Sequence, residues 1–547
     1  MRRIASGFAA LATVTALAAC SPQGAAGTAA TEYLVFYAEG RQADALARIG
    51  EAGGTAVLKE PKLGYVIARA AGRSFAETVG ADPAVAGVSA DRRIGHAPSA
   101  ATVRGPATGP AAGAFPDASA FTESSDGDPL SPRQWDMMMI GADRAHAKAP
   151  GSDKVLVGVI DTGIDGGHPD IAANFNRELS RNFVTDKPED ENGETLDGPC
   201  EADGCKDPVD RDDDGHGTHV ASTIASPANG IGVIGVAPRV QLVNIRAGQD
   251  SGFFFLKPSL DALTYAGDIG VDVVNMSYYV DPWLFNCRDH PSDSEKERLE
   301  QRAIITGMQR ALDYARGKGV TLISALGNGS TDLGRPAADK VSPGYPRGEE
   351  RQRKVDNSCL NVPAESDGVI SVSALGPSGR KAIYSDYGVE QTDVAAPGGD
   401  TLDGKDSSAT RSILAAAPEE VLRAKGRIDR DGKPRGTDVV RDCTRRPCSY
   451  YQYLDGTSMA APHATGVAAI LISRFGKPGP GGVTLAPDTV ERYLFETATD
   501  QPCPTPRAYV YKVYGESTTH LCEGGADHNG FYGRGIVNAY GAATFQP

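Results

Sequence analysis

The chain has 547 residues, which is more than one ordinary domain and enough to bury a large core. Hydrophobic residues make up 40%, and the 65 Gly and 36 Pro indicate a globular, loop-rich protein, which excludes a disordered chain. The formal net charge of −15 argues against binding of nucleic acid through a basic surface and suits an exported protein that must stay soluble.

The first residues have the pattern of an export signal. Arg2 and Arg3 form a short positive region, and residues 4–19 are small and apolar but too short for a comfortable membrane span. The letters "LAAC", ending at Cys20, resemble a bacterial lipobox, and a flexible tether follows them. We therefore predict a signal peptide over residues 1–19 with Cys20 as the lipidated first mature residue. The alternative is an ordinary cleaved signal in which Cys20 has no role.

Residues 31–96 predict a small α+β unit of ferredoxin-like type. The runs "YLVFY", "LGYVIARA" and "VAGVSADRR" are typical of strands, and "ADALARIGEAGG" and "SFAETVGAD" are typical of helices. Residues 97–128 begin with a stretch rich in Ala, Pro, Gly and Ser, which indicates a linker.

From residue 129 to residue 547 the pattern alternates apolar strands with helical stretches. Strand-like runs such as "KVLVGVIDTG", "VQLVNIRA", "VDVVNMSY", "GVTLISALGN" and "GVISVSAL" are separated by helical segments, including "HGTHVASTIAS". This order predicts a doubly wound, mostly parallel sheet with helices on both faces. Ligands bind at the carboxyl ends of the strands in such folds, and Asp161 and Asn328 both fall at such ends.

Three residue types along this region suit acyl-transfer chemistry. Asp161 follows a buried strand, although a turn Asp would look the same. His216 stands between glycines at the start of a helix, with His219 as a competing candidate. Asn328 precedes a Gly, so its amide either donates to an oxyanion or fills a turn.

Ser458 begins an apolar helical run, where the helix dipole and free backbone N–H groups favour an oxyanion. An N-cap serine is the plain alternative. His463 lies about 140° around the helix and about 7.5 Å along it from Ser458, so it is a poor partner and is interpreted as structural. The G-x-S-x-G elbow of α/β-hydrolases is absent, which lowers an esterase interpretation.

Two metal patterns are rejected. "HGTH" has neither the i, i+4 spacing nor the Glu of a zinc metalloprotease. "DRDDDG" resembles the start of a calcium loop, but Ala221 stands where the closing Glu would be needed.

The nine cysteines indicate an oxidising compartment. Eight remain when Cys20 is set aside, and many connectivities are open to them, including free thiols. The proposed pairing joins two close pairs, one loop near the C-terminus and one pair left by elimination: Cys200–Cys205, Cys443–Cys448, Cys503–Cys522 and Cys287–Cys359.

Taken together, "VIDTGID", "GHGTHVA", "GN" and "GTSMAAPHATG" closely resemble the motifs of the subtilisin-like serine proteases, in that family's order. The resemblance implies that Ser458 attacks the peptide carbonyl, that His216 is its base, and that Asp161 orients the histidine. It also implies that Asn328 and the Ser458 N–H hold the oxyanion, and that His219 and His463 are structural.

The resemblance implies further sites. Ser277, Tyr278, Tyr279 and Gly327 match substrate-binding positions, although "SYY" stands where the family usually has "SLG". Long insertions over residues 281–300 and 330–359 are expected to border the cleft, and a third over residues 401–451 precedes the nucleophile.

The family's calcium loop aligns with "PANGIGV", so a structural Ca²⁺ would use Gln134, Asp170 and Asn229; an ordinary loop is the alternative. No cofactor is expected for the chemistry. Ser222 is a departure, because the family usually has Gly at that position.

Residues 31–96 resemble the family's inhibitor-like propeptide, which implies an intramolecular inhibitor. The sequence thus predicts an exported serine endopeptidase made as a zymogen. We expect it to act on proteins or peptides, to bind no nucleic acid, and to contact a membrane only through its lipid anchor. Its expected location is the bacterial cell envelope, at the outer membrane or in the periplasm, or outside the cell after the propeptide is cleaved. The alternatives are a non-catalytic surface-binding lipoprotein and an esterase with the same triad.

Overall fold

The computed structural model describes residues 30–72, 74–91, 127–404, 406–513 and 516–547. The predicted signal peptide, Cys20 and nearly all of the predicted linker lie outside the described residues. The elements of the N-terminal unit, in chain order, are β1 (Thr31–Tyr37), α1 (Gln42–Glu51), β2 (Thr55–Glu60), β3 (Tyr65–Ala70), α2 (Phe75–Gly80) and β4 (Val85–Ala90).

The N-terminal unit is one antiparallel sheet in the order β2-β3-β1-β4 with two helices. This is the ferredoxin-like arrangement expected from the sequence, with one strand that the pattern did not reveal. That strand is β2, an edge strand in which Val57 and Leu58 are 45% and 47% exposed. An edge strand that buries neither face shows no alternation of apolar and polar residues, so periodicity does not detect it.

The large unit begins with two short helices and continues as a series of strands and helices. Its first elements are α3 (Trp135–Met139), α4 (Ala142–Ala145), β5 (Leu156–Ile160), β6 (Arg181–Asn182), α5 (His216–Ala225), β7 (Gln241–Arg246), α6 (Leu256–Ile269), β8 (Val273–Met276), α7 (Glu295–Gly317), β9 (Thr321–Ala325), β10 (Val369–Leu375) and β11 (Val394–Pro397). The remaining elements are β12 (Ile413–Ala416), α8 (Glu419–Ala424), β13 (Val439–Asp442), β14 (Ser449–Leu454), α9 (Thr457–Phe475), β15 (Lys477–Gly479), β16 (Gly482–Thr484), α10 (Pro487–Thr497), β17 (Ala508–Val513), β18 (Glu516–Leu521) and α11 (Ala539–Thr544).

The central sheet of the large unit has seven strands in the order β11-β10-β9-β8-β5-β7-β6. Every pair of neighbours is parallel, which confirms the predicted parallel sheet. Strands β6 and β11 were not predicted as strands, because two and four residues are too short to show a pattern.

Both faces of this sheet are covered by helices, as predicted. Within β5, Val157 and Val159 belong to the core that contains α5 and α9. The alternate residues Leu156 and Ile160 belong to a second core with α6 and α7. Because successive strand residues point to opposite faces, one all-apolar strand supplies both cores.

The chain order places several elements at one edge of the sheet. After β5 the chain builds β6 and β7 on one side and then crosses to build β8 and β9 on the other. The carboxyl ends of β5, β8 and β9 lead directly into Asp161, Ser277 and the segment that ends at Asn328. Helices α5 and α9 pack together, and they begin at His216 and Thr457. A doubly wound sheet has its site at such a switch of strand order.

The insertions over residues 281–300 and 401–451 form regular secondary structure. The C-terminal part of the 281–300 insertion is helical, because Ser294 and Glu297 form a capping box that starts α7 at Glu295. The 401–451 insertion supplies β12 and β13, which form a three-stranded sheet with β14. Ser222, at the position where Gly is usual, accepts a hydrogen bond from Ala416 N at 2.9 Å and so fastens β12 to α5.

Four disulfides close loops of the large unit. The structure has the same pairs that the sequence proposed, namely Cys200–Cys205, Cys287–Cys359, Cys443–Cys448 and Cys503–Cys522. Among the helices in the described ranges, none is both long and apolar enough to cross a bilayer.

Candidate active site

A buried carboxylate and a buried imidazole meet at the carboxyl end of β5. Asp161 Oδ1 lies 2.7 Å from His216 Nδ1 and also accepts a hydrogen bond from Thr162 N at 2.8 Å. His216 can reach Asp161 because Gly215, with φ 95°, turns the chain into α5. The carboxylate is the acceptor, so Nδ1 carries the proton of a neutral imidazole and Nε2 carries the lone pair.

The free nitrogen of His216 is the basic atom of the pair. Nε2 is buried and has no hydrogen-bond partner in the described part of the chain. Burial opposes protonation of His216, but the charge and hydrogen bond of Asp161, with the charges of Asp214 and Asp212, outweigh it and raise the pKa. The site therefore holds an orientated base with a raised pKa.

Ser458 is the second residue of α9 and is 1% exposed. Its Oγ donates a hydrogen bond to Ser277 O at 3.3 Å, and the Ser277 hydroxyl donates to Ser458 O at 3.0 Å. Ser277 thus contacts the serine and does not line the cavity described below. The N–H of Ser458 lies in the first turn of the helix, where an N–H has no acceptor within the helix.

The Asn328 amide is held with its oxygen towards α9. Oδ1 accepts hydrogen bonds from Thr457 N at 2.9 Å and from Thr457 Oγ1 at 2.8 Å. Nδ2 is buried and has no acceptor among the residues that the structure describes. Thr457 was missed by the sequence reasoning, although it stands next to Ser458 in the same motif. The arrangement leaves one donor free beside the helix N-terminus.

A cavity of about 530 Å³ adjoins this amide. Gly327 lines it and has φ +129°, and a Cβ there would lie 2.2 Å from Asp386 Oδ2, so the position requires glycine. Tyr278 and Tyr279 form another wall, and Tyr278 stacks on Phe254 with ring centroids 4.2 Å apart. The predicted residues Tyr278, Tyr279 and Gly327 therefore lie at one cavity with Asn328.

The insertion of residues 330–359 borders the same cavity. It contributes five lining residues that sequence reasoning did not single out: Lys340, Val341, Gly344, Arg347 and Glu350. Their only signal in the sequence is the length of the insertion between two strands. Phe253, which precedes α6, also lines the cavity and lies beside this insertion, with the Arg347 guanidinium 5.8 Å from the centre of its ring.

The competing histidines lie in packed positions. His219 Nε2 contacts the carbonyl oxygens of Ile413 at 3.0 Å and Gln452 at 3.1 Å. Burial lowers the pKa of His219 to about 3, so it stays neutral.

Asp455, near Ser458 in sequence, accepts a hydrogen bond from Thr401 N at 3.2 Å, and burial raises its pKa to about 7.

The three predicted calcium ligands lie together, but their oxygens are occupied. Oxygens of Gln134, Asp170 and Asn229 each accept hydrogen bonds from amides of residues 229–234, all at 3.0 Å. Burial also raises the pKa of Asp170 to about 8, and the Tyr451 hydroxyl interacts with the Asp170 carboxyl. This set does not fit a calcium ion unless those hydrogen bonds break. Calcium binding at this loop stays a prediction, and no catalytic step depends on it.

Comparisons with known proteins place the chain among serine proteases of one family. A sequence model of the subtilase family matches residues 152–516. Subtilisin DY from Bacillus licheniformis is 25% identical over 405 residues, which cover 74% of this chain and 96% of that protein. The thermophilic serine proteinase of Bacillus sp. (strain AK1) is 27% identical over 61% of this chain, which spans only 55% of that relative.

Solved structures show the same fold. An epidermin leader peptide processing serine protease from Staphylococcus aureus superposes with a TM-score of 0.60 at 21% identity, covering 95% of this chain and all of that one. Fervidolysin from Fervidobacterium pennivorans gives a TM-score of 0.56 at 22% identity, over 95% of this chain and 61% of its own. With the family model matching most of the large unit, the chain belongs to the subtilase family and is a serine-type endopeptidase.

Proposed function

We propose that this chain is an exported serine endopeptidase that hydrolyses peptide bonds through Asp161, His216 and Ser458 and is made as a zymogen. The observation that carries the proposal is that two groups without hydrogen-bond partners among the described residues lie at the same edge of the central sheet. His216 offers an unpartnered lone pair, and Asn328, whose amide oxygen is bonded to Thr457 at the α9 N-terminus that bears Ser458, offers an unpartnered donor. Proteins or peptides are the substrates.

The first half-reaction follows from these groups. The Ser458 hydroxyl leaves Ser277 O and donates instead to His216 Nε2, and Oγ attacks the peptide carbonyl as the proton moves to the imidazole. Asp161 stabilises the resulting imidazolium. The Asn328 Nδ2 and the Ser458 N–H donate to the oxyanion, a contact whose strength grows as the negative charge develops.

The same proton completes the acylation, and water supplies a second proton for the deacylation. His216 passes the first proton to the leaving amine, which departs and leaves an ester on Ser458. Water then enters, gives a proton to His216 and attacks the ester carbonyl, and the proton returns to Ser458 as the acid product leaves. The chain itself supplies the nucleophile, the base and the oxyanion donors, so the reaction as proposed needs no cofactor.

A fluorophosphonate probe and a set of peptide and ester substrates test this function. We expect the processed protein to be labelled at Ser458, to cleave both substrate classes, and to lose label and cleavage in Ser458→Ala. No labelling of processed wild type would favour a non-catalytic binding protein. Cleavage of esters without any cleavage of peptides would favour an esterase. Either result would overturn the proposal.

The zymogen proposal assigns residues 31–96 as a propeptide inhibitor and residues 129–547 as the catalytic domain. Its support is the way the small sheet covers the helices of the large unit. Phe36 and Ile67 belong to the same core as α6 and α7. The Arg310 side chain on α7 donates to Tyr37 O at 2.9 Å and to Gly64 O at 3.0 Å.

The small unit also ends near the cleft. Asp91, just after β4, shares a crevice with Phe255 and Pro282, and Phe253 of the same segment lines the substrate cavity. Added in trans, the isolated unit of residues 31–96 should inhibit the mature enzyme if it folds; Arg310→Ala in the mature enzyme should weaken that inhibition. Equal inhibition of both enzymes would oppose this docking.

The export proposal concerns residues 1–19, Cys20 and the linker of residues 97–128. If Cys20 is lipidated, the anchor belongs to the propeptide, so cleavage in the linker severs the catalytic domain from the membrane unless the propeptide stays bound. Fractionation of cells expressing wild type or Ser458→Ala tests this: only the variant should hold the catalytic domain on the membrane. Equal retention of the catalytic domain in both would contradict it.

A further inference from the structure

The Asn328 amide lies in a loop that is hydrogen-bonded to a second segment of the chain. We call residues 327–331 the oxyanion loop and residues 383–387 the backing segment. Three backbone hydrogen bonds of 2.8–2.9 Å join them: Asp386 N to Gly327 O, Ser330 N to Tyr384 O, and Tyr387 N to Thr331 O. The oxyanion loop therefore takes its shape from a segment that is distant in sequence.

The oxyanion loop needs this support because of its backbone conformation. Ser330 has φ 58°, in the left-handed region that residues other than glycine rarely adopt. The Ser330 hydroxyl donates to Ile383 O at 2.8 Å, so a contact with the backing segment stabilises that conformation. Gly327, on the other side of Asn328, also has a positive φ, of 129°. The direction of Asn328 thus depends on contacts that hold the loop on both of its sides.

The Asp386 carboxylate contacts the oxyanion loop on both sides of Asn328. Its Oδ1 accepts a hydrogen bond from Thr331 N at 2.7 Å, and the Gly329 amide also donates to the carboxylate. Its Oδ2 lies so close to Gly327 that a Cβ there would be 2.2 Å away. Because Asp386 is 2% exposed, water does not compete for these contacts. One buried carboxylate therefore contacts both neighbours of Asn328.

This carboxylate is charged at neutral pH. Burial raises the pKa of Asp386 to about 6, and the loop amides and the charge of Lys381 limit the rise. Burial also lowers the pKa of Lys381 to about 7, against the effect of the Asp386 charge. Lys381 Nζ donates to Ala382 O at 2.8 Å and to Ser385 O at 2.6 Å, and three rings lie 4.9–5.6 Å from it, those of Tyr387, Tyr511 and Phe531. Carbonyl oxygens and ring faces favour the ammonium form, so a buried cation accompanies Asp386.

We propose that Asp386 is a positioning residue that directs Asn328 Nδ2 towards the oxyanion. Thr457 holds the oxygen of the Asn328 side chain, and Asp386 holds the backbone on either side of it. The donor is then in place before substrate binds, which is the condition under which an oxyanion contact is most effective. Asp386 is not among the described residues that line the substrate cavity, so it acts through Asn328. The proposal rests on the proposed function.

Peptide kinetics of Asp386→Asn test the proposal, with kcat expressed per site that a fluorophosphonate probe labels at completion. An amide has one acceptor oxygen where a carboxylate has two, so the variant cannot accept from both Thr331 N and Gly329 N as Asp386 does. We expect kcat to fall by about 10–100-fold at nearly constant KM, as for a misplaced oxyanion donor. In the Asn328→Ala background the same substitution should change kcat by less than about twofold, because the donor that Asp386 positions is absent.

The matched control is Asp272→Asn. Asp272 is 3% exposed and accepts a hydrogen bond from Leu156 N at 2.8 Å, at the opposite, amino edge of the same sheet. This substitution should lower Tm and leave kcat per labelled site unchanged. If Asp386→Asn does not fold, Gly329→Ala replaces it in both backgrounds. A Cβ at Gly329 would lie 3.1 Å from Asp386 Oδ1 and would displace the carboxylate or the loop.

Three outcomes in an active wild type would overturn the proposal and leave the proposed function in place. They are a kcat of Asp386→Asn equal to that of wild type, a change confined to KM, and a fall in kcat that is equally large in the Asn328→Ala background. A fall of the same size in Asp272→Asn would also overturn it, since any buried carboxylate would then have this effect. Failure of the proposed function is a distinct result, in which wild type itself cleaves no peptide or takes no label at Ser458.

Discussion

Two buried histidine–aspartate pairs in this protein differ in one respect that separates a base from a structural contact. His216 Nδ1 lies 2.7 Å from Asp161, and His463 Nε2 lies 3.0 Å from Asp136. All four side chains are nearly inaccessible to solvent. The second nitrogen of His463 contacts Met459 O at 2.8 Å, whereas the second nitrogen of His216 has no partner in the described part of the chain.

The difference follows from where each histidine lies on its helix. His463 is inside α9, so the carbonyl of the residue four positions earlier takes up its Nδ1. His216 is the first residue of α5, with no preceding helical turn behind it. Burial and an aspartate partner are thus common to both pairs, and an available lone pair at the sheet edge is what distinguishes His216. For that reason the geometry does not favour His463 as the base, although it lies close to Ser458 in sequence.

The largest expected effect comes from removing the acid of each pair. Asp161→Asn should lower kcat by about 10⁴-fold, because the imidazole loses its orientation and the stabilisation of its charged form. Asp136→Ala should cost about 1–3 kcal/mol of unfolding free energy, since His463 Nε2 is left buried without a partner, and should leave kcat/KM near wild type. Peptide kinetics and urea unfolding measure the two effects. A loss of kcat in Asp136→Ala as large as that in Asp161→Asn would break the comparison.

The second largest expected loss of activity comes from changing Asn328, whose Nδ2 is the other group of the site without a hydrogen-bond partner among the described residues. Asn328→Ala removes the Nδ2 donor, so kcat should fall by about 10²–10³-fold while KM changes little, as expected for a contact made with the oxyanion. Steady-state kinetics on a peptide ester and a peptide amide measure it. A rise in KM at constant kcat would mean that Asn328 binds ground-state substrate instead.

A smaller effect is expected from Thr457, which positions the Asn328 amide. Thr457→Val loses two hydroxyl hydrogen bonds, the one donated to Asn328 Oδ1 and the one accepted from Gly327 N, but keeps the backbone one. We expect kcat to fall by about 10–100-fold, the equivalent of one to two hydrogen bonds. Thr457→Ser keeps the hydroxyl and should recover nearly full activity. Full activity in Thr457→Val would show that the hydroxyl does not position the amide, and a loss confined to Thr457→Ser would show that the methyl group matters instead.

Five of the seven strands of the central sheet and the residues proposed as the triad were predicted from the sequence, for different reasons. Long β-branched runs predict buried strands by themselves, and β5 and β7 to β10 lie within the predicted runs. Asp161, His216 and Ser458 were each ambiguous alone, because a turn, a loop and a helix cap need the same residue types. Their order and flanking glycines, through the family resemblance, removed the ambiguity.

What the sequence left out depends on distant contacts. Thr457 matters because Asn328, in the segment after β9 and distant in sequence, accepts its hydrogen bonds. The insertion over residues 330–359 was expected to border the cleft, but it has no periodicity, so its lining residues Lys340 and Arg347 were not singled out. The contact of Asp386 with the oxyanion loop likewise joins segments on either side of β10 in sequence. Each of these is set by tertiary packing, which residue spacing along the chain does not encode.

The smallest expected effect concerns the raised pKa of His216. His216 must be neutral to act as a base, so kcat/KM should fall as pH drops through its pKa, with an acid limb above the usual value of about 6.5. The charge of Asp214 contributes to that raised pKa, so Asp214→Asn should lower the pKa and move the acid limb to lower pH.

The control for this shift is a neighbouring carboxylate. Asp213 pairs with Arg211 and is not among the charges that raise the pKa of His216. The acid limb of Asp213→Asn should therefore coincide with that of wild type. Salt should reduce the Asp214→Asn shift, because Asp214 is partly exposed and its field is screened, whereas buried Asp161 is screened far less. An unmoved limb in Asp214→Asn would mean that Asp214 does not contribute to the pKa of the base. An equal shift in Asp213→Asn would mean that the total charge of the loop acts on His216, and not Asp214 in particular.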